Sequence, residues 1–340
     1  MEYDQIAKLA QACFQSNPTI VLGSGASMPH GLPSMGDLSK FLQENISPVD
    51  ANEAKQWKRV QDDLSAGLHL EGALDGKALS AELLKQIVAA TWQCVNEKDK
   101  KLFLDLAEQP IAFDLGRLFR NLFRSTIKKI DVVTTNYDRV VEYACNSVGL
   151  LFQTGFAPGY LQKWETSSGV TYGRGMGAAR TVKIWKVHGS LDWFKTGDDE
   201  IRGLPAFELP GGQLSPLIVT PGLNKYEKTH EDPFRSTISG ADNALKNAHG
   251  FLCIGFGFRD QHIHPKIIER CREGNVPIVV LGQDLTSEAK QFLREKAGNN
   301  YLGIERAESR SRVFTASHPE GIEVMEGDLW SLSRFNTLIS

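Results

Sequence analysis

Four short stretches of the chain carry residues that could do chemistry. His188 follows the run 182–187 and precedes Gly189-Ser190. An imidazole titrates near neutral pH and suits proton transfer, and a histidine at a strand's C-terminal end can face a ligand crevice. Thr135, Asn136 and Asp138 follow the β-branched run 130–134. Gly23-Ser24-Gly25-Ala26-Ser27 follows the apolar Ile20-Val21-Leu22, with Gly31-Leu32-Pro33 shortly after. Glycines there permit positive φ and leave room for a pyrophosphate against backbone N–H groups, and a following helix N-terminus would add partial positive charge. Gly255-Phe256-Gly257-Phe258-Arg259-Asp260 forms a second glycine turn after the run 250–255.

Each stretch also has a plainer reading. Gly-Ser-Gly closes many tight turns, and a single histidine is usually structural. Asn136 can cap a helix over 139–145 with Asp138 supporting the cap; residue type alone leaves both readings of Asn136 open. His262 and His264 stand two apart near Asp260, but at that spacing on a helix they point apart, and no metal is expected.

The elements that must position these residues follow from periodicity. Helices are expected over 2–15, over 37–46 (capped by Asp37), and over 113–129, 139–145, 234–247 and 286–297. A terminal helix should begin at 327–330. Strands are expected at 19–22, 130–135, 182–187, 217–220, 250–255, 277–282 and 311–315. Residues 151–180 read as loop. Residues 47–104 are charged, alanine-rich and helical by propensity; Trp57, Trp92 and His69 there read as packing or surface residues. Alternating strands and helices predict an α/β fold, a doubly wound, mostly parallel Rossmann-like sheet. Ligands of such sheets bind beyond the carboxyl ends of the strands, where all four stretches fall.

The chain has 340 residues, 41% of them hydrophobic, and a net charge of −3. It lacks the basic footprint of a nucleic-acid binder, a bilayer-length apolar run and a signal-peptide layout, so a cytoplasmic protein with no direct nucleic-acid or membrane partner is expected. Five cysteines without a CxxC pair argue against a disulfide framework or a four-cysteine zinc site.

In order, GSGAS with GLP, TTNYD, KVHGS, GFGFRD and VVLGQDL resemble the strand ends of the sirtuin (SIR2) fold, and more closely the SIR2-like NAD-consuming domains of bacterial antiphage defence. The resemblance spans roughly residues 17–335. It implies a SIR2-like catalytic domain over 1–46 and 105–340, with 47–104 a helical insertion. It implies that Gly23, Ser24, Gly25, Ala26 and Ser27 line a pyrophosphate and ribose, with Pro33 and Thr135 also on the dinucleotide. Asn136 would hold the nicotinamide ribose or the attacking water, Asp138 would lie near the carboxamide, and His188 would be the general base. Gly255, Gly257 and Asp284 would approach the adenosine half. Two departures from deacylating sirtuins stand out. The zinc cysteines after His-Gly are missing, and the stretch 210–226 lacks the family's segment for clamping an acyl-lysine strand.

The activity so implied is hydrolysis of NAD+ to ADP-ribose and nicotinamide, with NAD as substrate and no metal, in an antiviral system acting by NAD depletion. The alternatives are a catalytically silent nucleotide sensor or scaffold and a zinc-less deacylase. After the strand at 277–282 too little chain remains for a separate sensor domain. Control is therefore expected from the insertion, from homo-oligomerisation, or from another chain, for which the resemblance suggests a HerA-like ATPase or another defence-system subunit.

Overall fold

The computed structural model of the protein describes residues 3–109, 111–165, 172–175, 177–220, 222, 231–325 and 327–339. Along the chain the strands are β1 (Thr19–Leu22), β2 (Lys129–Thr134), β3 (Leu151–Gln153), β4 (Gln162–Lys163), β5 (Gly173–Arg174), β6 (Gly177–Ala178), β7 (Thr181–Lys186), β8 (Gly189–Lys195), β9 (Ile201–Gly203), β10 (Ser215–Ile218), β11 (Phe251–Ile254), β12 (Ile278–Leu281), β13 (Tyr301–Ala307), β14 (Arg310–Thr315) and β15 (His318–Val324).

Nine of them make one sheet in the order β15-β14-β13-β12-β11-β1-β2-β7-β3. From β13 through β3 all neighbours are parallel, and β14 and β15 add an antiparallel edge. The expected mostly parallel, doubly wound sheet is therefore present. Every residue of β1, β11 and β12 is buried, as continuous apolar runs covered on both faces require.

Alternation sorts their side chains between two cores. Ile20, Leu22, Val132, Leu252 and Val279 face one side, with helices Tyr3–Gln15, Asp114–Leu122, Val140–Ser147 and Leu332–Leu338. Val21, Val133, Cys253 and Val280 face the other, with helices Phe234–Lys246, Ile263–Gly274 and Ser287–Glu295. The chain leaves β1 toward β2 and β7 on one side and later returns to β11, β12 and β13 on the other. The strand order thus reverses between β1 and β11.

Residues 47–104 contain helices Ala51–Ser65, Leu70–Leu74 and most of Ala81–Glu108. Trp57, Val60, Leu74, Leu83 and Ile87 pack with Leu38 and Leu42 in a separate cluster. Further along the same long helix, Trp92, Val95 and Leu102 join the core against the sheet. That one helix therefore serves both clusters.

Several local expectations shift. Helix Met35–Asn45 is capped by Ser34, with Asp37 completing the capping box rather than acting as the cap, as the Ser-x-x-Asp spacing allows. The helix expected over 113–129 stops at Leu122, and the Ser125 hydroxyl donates to the Leu122 carbonyl at 2.8 Å. The terminal helix starts later, with Ser331 as its cap. The loop-like 151–180 contributes edge strand β3 and the short β4, β5 and β6. Strands β10, β8, β9 and β4 form a second sheet. Aromatic packing holds it: Trp193 lies 5.5 Å from Phe156, 6.0 Å from Trp164 and 6.2 Å from Phe234. Of the stretch 210–226, residues 221 and 223–226 lie outside the described residues, as do 166–171.

Candidate functional site

The two glycine turns meet backbone to backbone. The Gly23 N–H donates to the Ile254 carbonyl at 3.1 Å and the Gly25 N–H to the Gly255 carbonyl at 3.2 Å. A Cβ on Gly23 would lie 2.4 Å from the Gly255 oxygen, and one on Gly255 would lie 2.3 Å from the Ala26 nitrogen. These glycines are required by each other. Gly255 also sits at φ +58°, in the left-handed region that favours glycine.

Asn136 ties the end of β2 to the first turn. Its Nδ2 donates to the Gly23 carbonyl at 2.9 Å and to Ser27 Oγ at 3.0 Å. A carbonyl can only accept, so the amide orientation is fixed and Oδ1 is the acceptor face. The Asn136 N–H donates to Thr134 Oγ1, whose hydroxyl donates to the Leu22 carbonyl. Asn136 therefore does not cap the following helix. Asp138 accepts from the Val140 N–H at 3.1 Å. It is buried and hydrogen-bonded to Ser27; burial pushes its carboxyl up, with Lys186 pulling the other way.

Lys186 is itself fully buried, 3.0 Å from Glu142, and donates to the Asp138 carbonyl. Burial raises the Glu142 carboxyl as well, against the opposing pull of Lys186. Arg139 binds Asp99 at 2.6 Å and Asp192 at 2.7 Å, and donates to the Ala206 carbonyl at 2.6 Å. Its own N–H donates to Asp99 at 2.8 Å. The turn after β2 is thus clamped from beneath by ions and from the side by the long helix that carries Asp99.

His188 follows β7, the parallel neighbour of β2. Thr134 pairs with Lys186, so Asn136 and His188 stand the same two residues past one rung of the ladder. Asn136 is half-buried, and the His188 side chain retains 14% exposure. Gly189, at φ +89°, lets this turn pass under β10: a Cβ there would lie 2.1 Å from the Leu217 oxygen. Tyr137 donates to the Val219 carbonyl at 2.6 Å, and the Val219 N–H donates to the His188 carbonyl at 2.8 Å.

His188 Nε2 lies 2.9 Å from Asp260 Oδ2, a contact between residues 72 positions apart that residue spacing could not reveal. Asp260 Oδ1 accepts from the His262 and Ile263 N–H groups, both at 2.9 Å. Its position directly before helix Ile263–Gly274 was the available sign of such a role. Phe258 reaches it through a left-handed φ of 57°, held by stacking on Phe292 at 4.6 Å.

The structure therefore gathers Gly23, Gly25, Ser27, Asn136, Asp138 and Gly255 into one knot, with Ser24 and Ala26 in the same turn and Thr135 beside it, its N–H donating to the Leu22 carbonyl. His188 joins from β7. Gly257 accepts from Thr286 Oγ1 at 2.7 Å, which links the turns after β11 and β12. Asp284 stands exposed on that last turn, and Pro33 lies half-buried ahead of helix Met35–Asn45. Neither joins the knot. Among the described residues no group of three or more His, Cys, Asp or Glu could hold a metal ion.

No curated protein matches the chain. Among solved structures, a mutant Sir2 homologue–ADP-ribose complex is similar at 12% identity and TM-score 0.50, over all of this chain and 96% of that one. A Sir2 homolog–NAD complex is similar at 12% identity and TM-score 0.46, over all of this chain and 94% of that one. The family model for a SIR2-like domain matches residues 131–298, from the strand before Asn136 past the turn bearing Asp260. The chain carries a SIR2-like domain.

Proposed function

We propose that the protein is an NAD+ hydrolase, splitting the nicotinamide–ribose bond with water to give ADP-ribose and nicotinamide. The observation that supports it is the matched placement of Asn136 and His188 past one rung of adjacent parallel strands, both partly buried. The pyridinium is a good leaving group: the glycosidic bond's electron pair returns to its nitrogen, and water bonds the anomeric carbon and gives up a proton. Asn136, its N–H groups held by Gly23 and Ser27, presents Oδ1 to orient that water without adding charge. His188, at the sugar, accepts that proton as general base.

The remaining residues fit a dinucleotide lying across the reversal between β1 and β11, where open sheets bind ligands. The N–H groups of Gly23, Gly25, Ala26 and Ser27 are engaged with backbone carbonyls, which leaves Ser24 as the turn's donor to a pyrophosphate. Gly255, Gly257 and Asp284 would flank the adenosine end. The role implied by the sequence resemblance is depletion of NAD in antiviral defence.

The test incubates purified protein with NAD+ and quantifies nicotinamide and ADP-ribose. Asn136→Ala and His188→Ala should each lower turnover on the order of a hundredfold or more while the protein stays folded. Undiminished turnover in both variants would overturn the proposal. Tight NAD+ binding without nicotinamide release would instead mark a sensor, and O-acyl-ADP-ribose formed with an acetylated peptide would mark a deacylase.

A further inference from the structure

We propose that Asp260 is a positioning residue for His188, fixing which imidazole nitrogen carries the proton. The inference rests on the reading of His188 as the base. Asp260 Oδ2 lies 2.9 Å from His188 Nε2, and the aspartate is 6% exposed against 14% for the histidine. The pair is a close electrostatic contact rather than an in-line hydrogen bond, and a carboxylate this close and this dry favours the proton of a neutral imidazole on the facing nitrogen. The Nε2–H tautomer is therefore the resident form, and Nδ1 is the basic nitrogen.

The carboxylate is itself immobilised. Its other oxygen accepts the two N–H groups that open helix Ile263–Gly274. That helix is seated by Ile263, Ile267 and Cys271 in the core. Behind Asp260, the left-handed Phe258 lies between Phe256 at 5.0 Å and Phe292 at 4.6 Å. A strained residue held by two rings, followed by a capping carboxylate, sets the height of Oδ2 against the imidazole. Strain of this kind persists only where surrounding packing determines it. Around this pair stand the Tyr137 phenol, engaged with the Val219 carbonyl, and His264, packed edge-on against Phe258 at 5.4 Å.

Asp260→Asn separates the helix cap from the histidine contact. The amide oxygen still accepts the His262 and Ile263 N–H groups, and an NH2 replaces the oxygen facing Nε2. A donor there favours an unprotonated Nε2 and moves the proton to Nδ1. The experiment records imidazole nitrogen shifts of protein labelled with 15N-histidine, assigning His188 by its loss in His188→Gln. It also measures kcat and KM for NAD+.

Wild-type protein is expected to show the Nε2–H form and Asp260→Asn the Nδ1–H form. The variant's kcat should fall roughly a hundredfold with KM for NAD+ within about twofold of wild type, since a tautomer change acts on the reacting state more than on binding. A wild-type Nδ1–H imidazole, or an Asp260→Asn protein with its tautomer unchanged, overturns the assignment whatever happens to kcat. A protein that shows the tautomer exchange but never cleaves NAD+ would uphold the Asp260 assignment while refuting the hydrolase reading.

Discussion

The guanidinium of Arg139 holds Asp99 at 2.6 Å, with the aspartate fully buried on a helix 40 residues earlier in the chain. The same Asp99 oxygen accepts the Tyr143 hydroxyl at 2.7 Å. Arg139 directly follows the turn that carries Asn136, so this pair fastens that turn to the long helix Ala81–Glu108. Asp99→Ala leaves Arg139 buried and short of one carboxylate, and breaking such a pair from one side costs roughly 3–5 kcal/mol. Denaturant unfolding should show a midpoint lowered accordingly. A stability within about 0.5 kcal/mol of wild type, the usual range for surface changes, would show the clamp to be dispensable.

Gly255 and Gly257 should respond differently to alanine. At Gly255 the new Cβ would lie 2.3 Å from the Ala26 nitrogen at φ +58°. The left-handed backbone alone costs roughly 1–2 kcal/mol, and the collision adds to it, so Gly255→Ala should be clearly destabilised and lose NAD+ binding with its fold. At Gly257 the nearest atom would be Thr286 Cγ2 at 3.5 Å, ordinary contact. Gly257→Ala should melt like wild type, and any change in its NAD+ affinity by calorimetry then reports approach of the ligand. Equal melting of the two variants would contradict the packing described.

Burial holds the His30 imidazole below its ordinary value of 6.5, against a smaller opposing pull from Asp114. Its ring packs on Phe113 at 4.6 Å. As pH falls from about 6.5, the unfolded chain binds this proton before the folded one does. The neutral ring's contribution to stability is therefore complete above that pH and is lost as pH drops through the lower folded value. Compared with wild type, His30→Gln should lose less stability between pH 7.5 and 5.5 in urea titrations. Parallel pH dependences would refute the assignment.

All five cysteines are buried and reduced. Burial pushes Cys13 and Cys271 up to about 12 and Cys94 up to about 11. Thiolate is the reactive form, so native protein at pH 8 should release less than one equivalent of chromophore from Ellman's reagent, and all five after denaturation. Rapid release from the native chain would place a thiol at the surface.

The sheet centre was legible because β1, β11 and β12 are short apolar runs ending in glycine or small polar residues, a pattern that survives without tertiary knowledge. The runs of β2 and β7 likewise put Asn136 and His188 at strand ends, while their standing side by side was implied only by the resemblance to the sirtuin fold. The antiparallel edge was half hidden: Gly303 interrupts β13, while Pro319 and Gly321 sit in β15, where an edge strand tolerates them. Residues that complete the knot were hidden for another reason. Lys186 reads as a polar strand residue yet is wholly buried, because Glu142 and the Asp138 carbonyl receive its charge. Asp99 reads as one more charge on a charged helix, and only its distant partner Arg139 gives it a purpose. Long-range ion pairs leave no periodic trace.

The seam between Gly23 and Gly255 also dictates when the cleft can exist. β1 emerges from the ribosome first, but its partner β11 and the carboxylate beside His188 come more than two hundred residues later. Until the ribosome has released residues through 263, the first turn has no backbone to rest on and the imidazole has no anion beside it. A nascent or prematurely truncated chain thus lacks the assembled cleft, and whatever activity the cleft confers is withheld until that later segment has emerged.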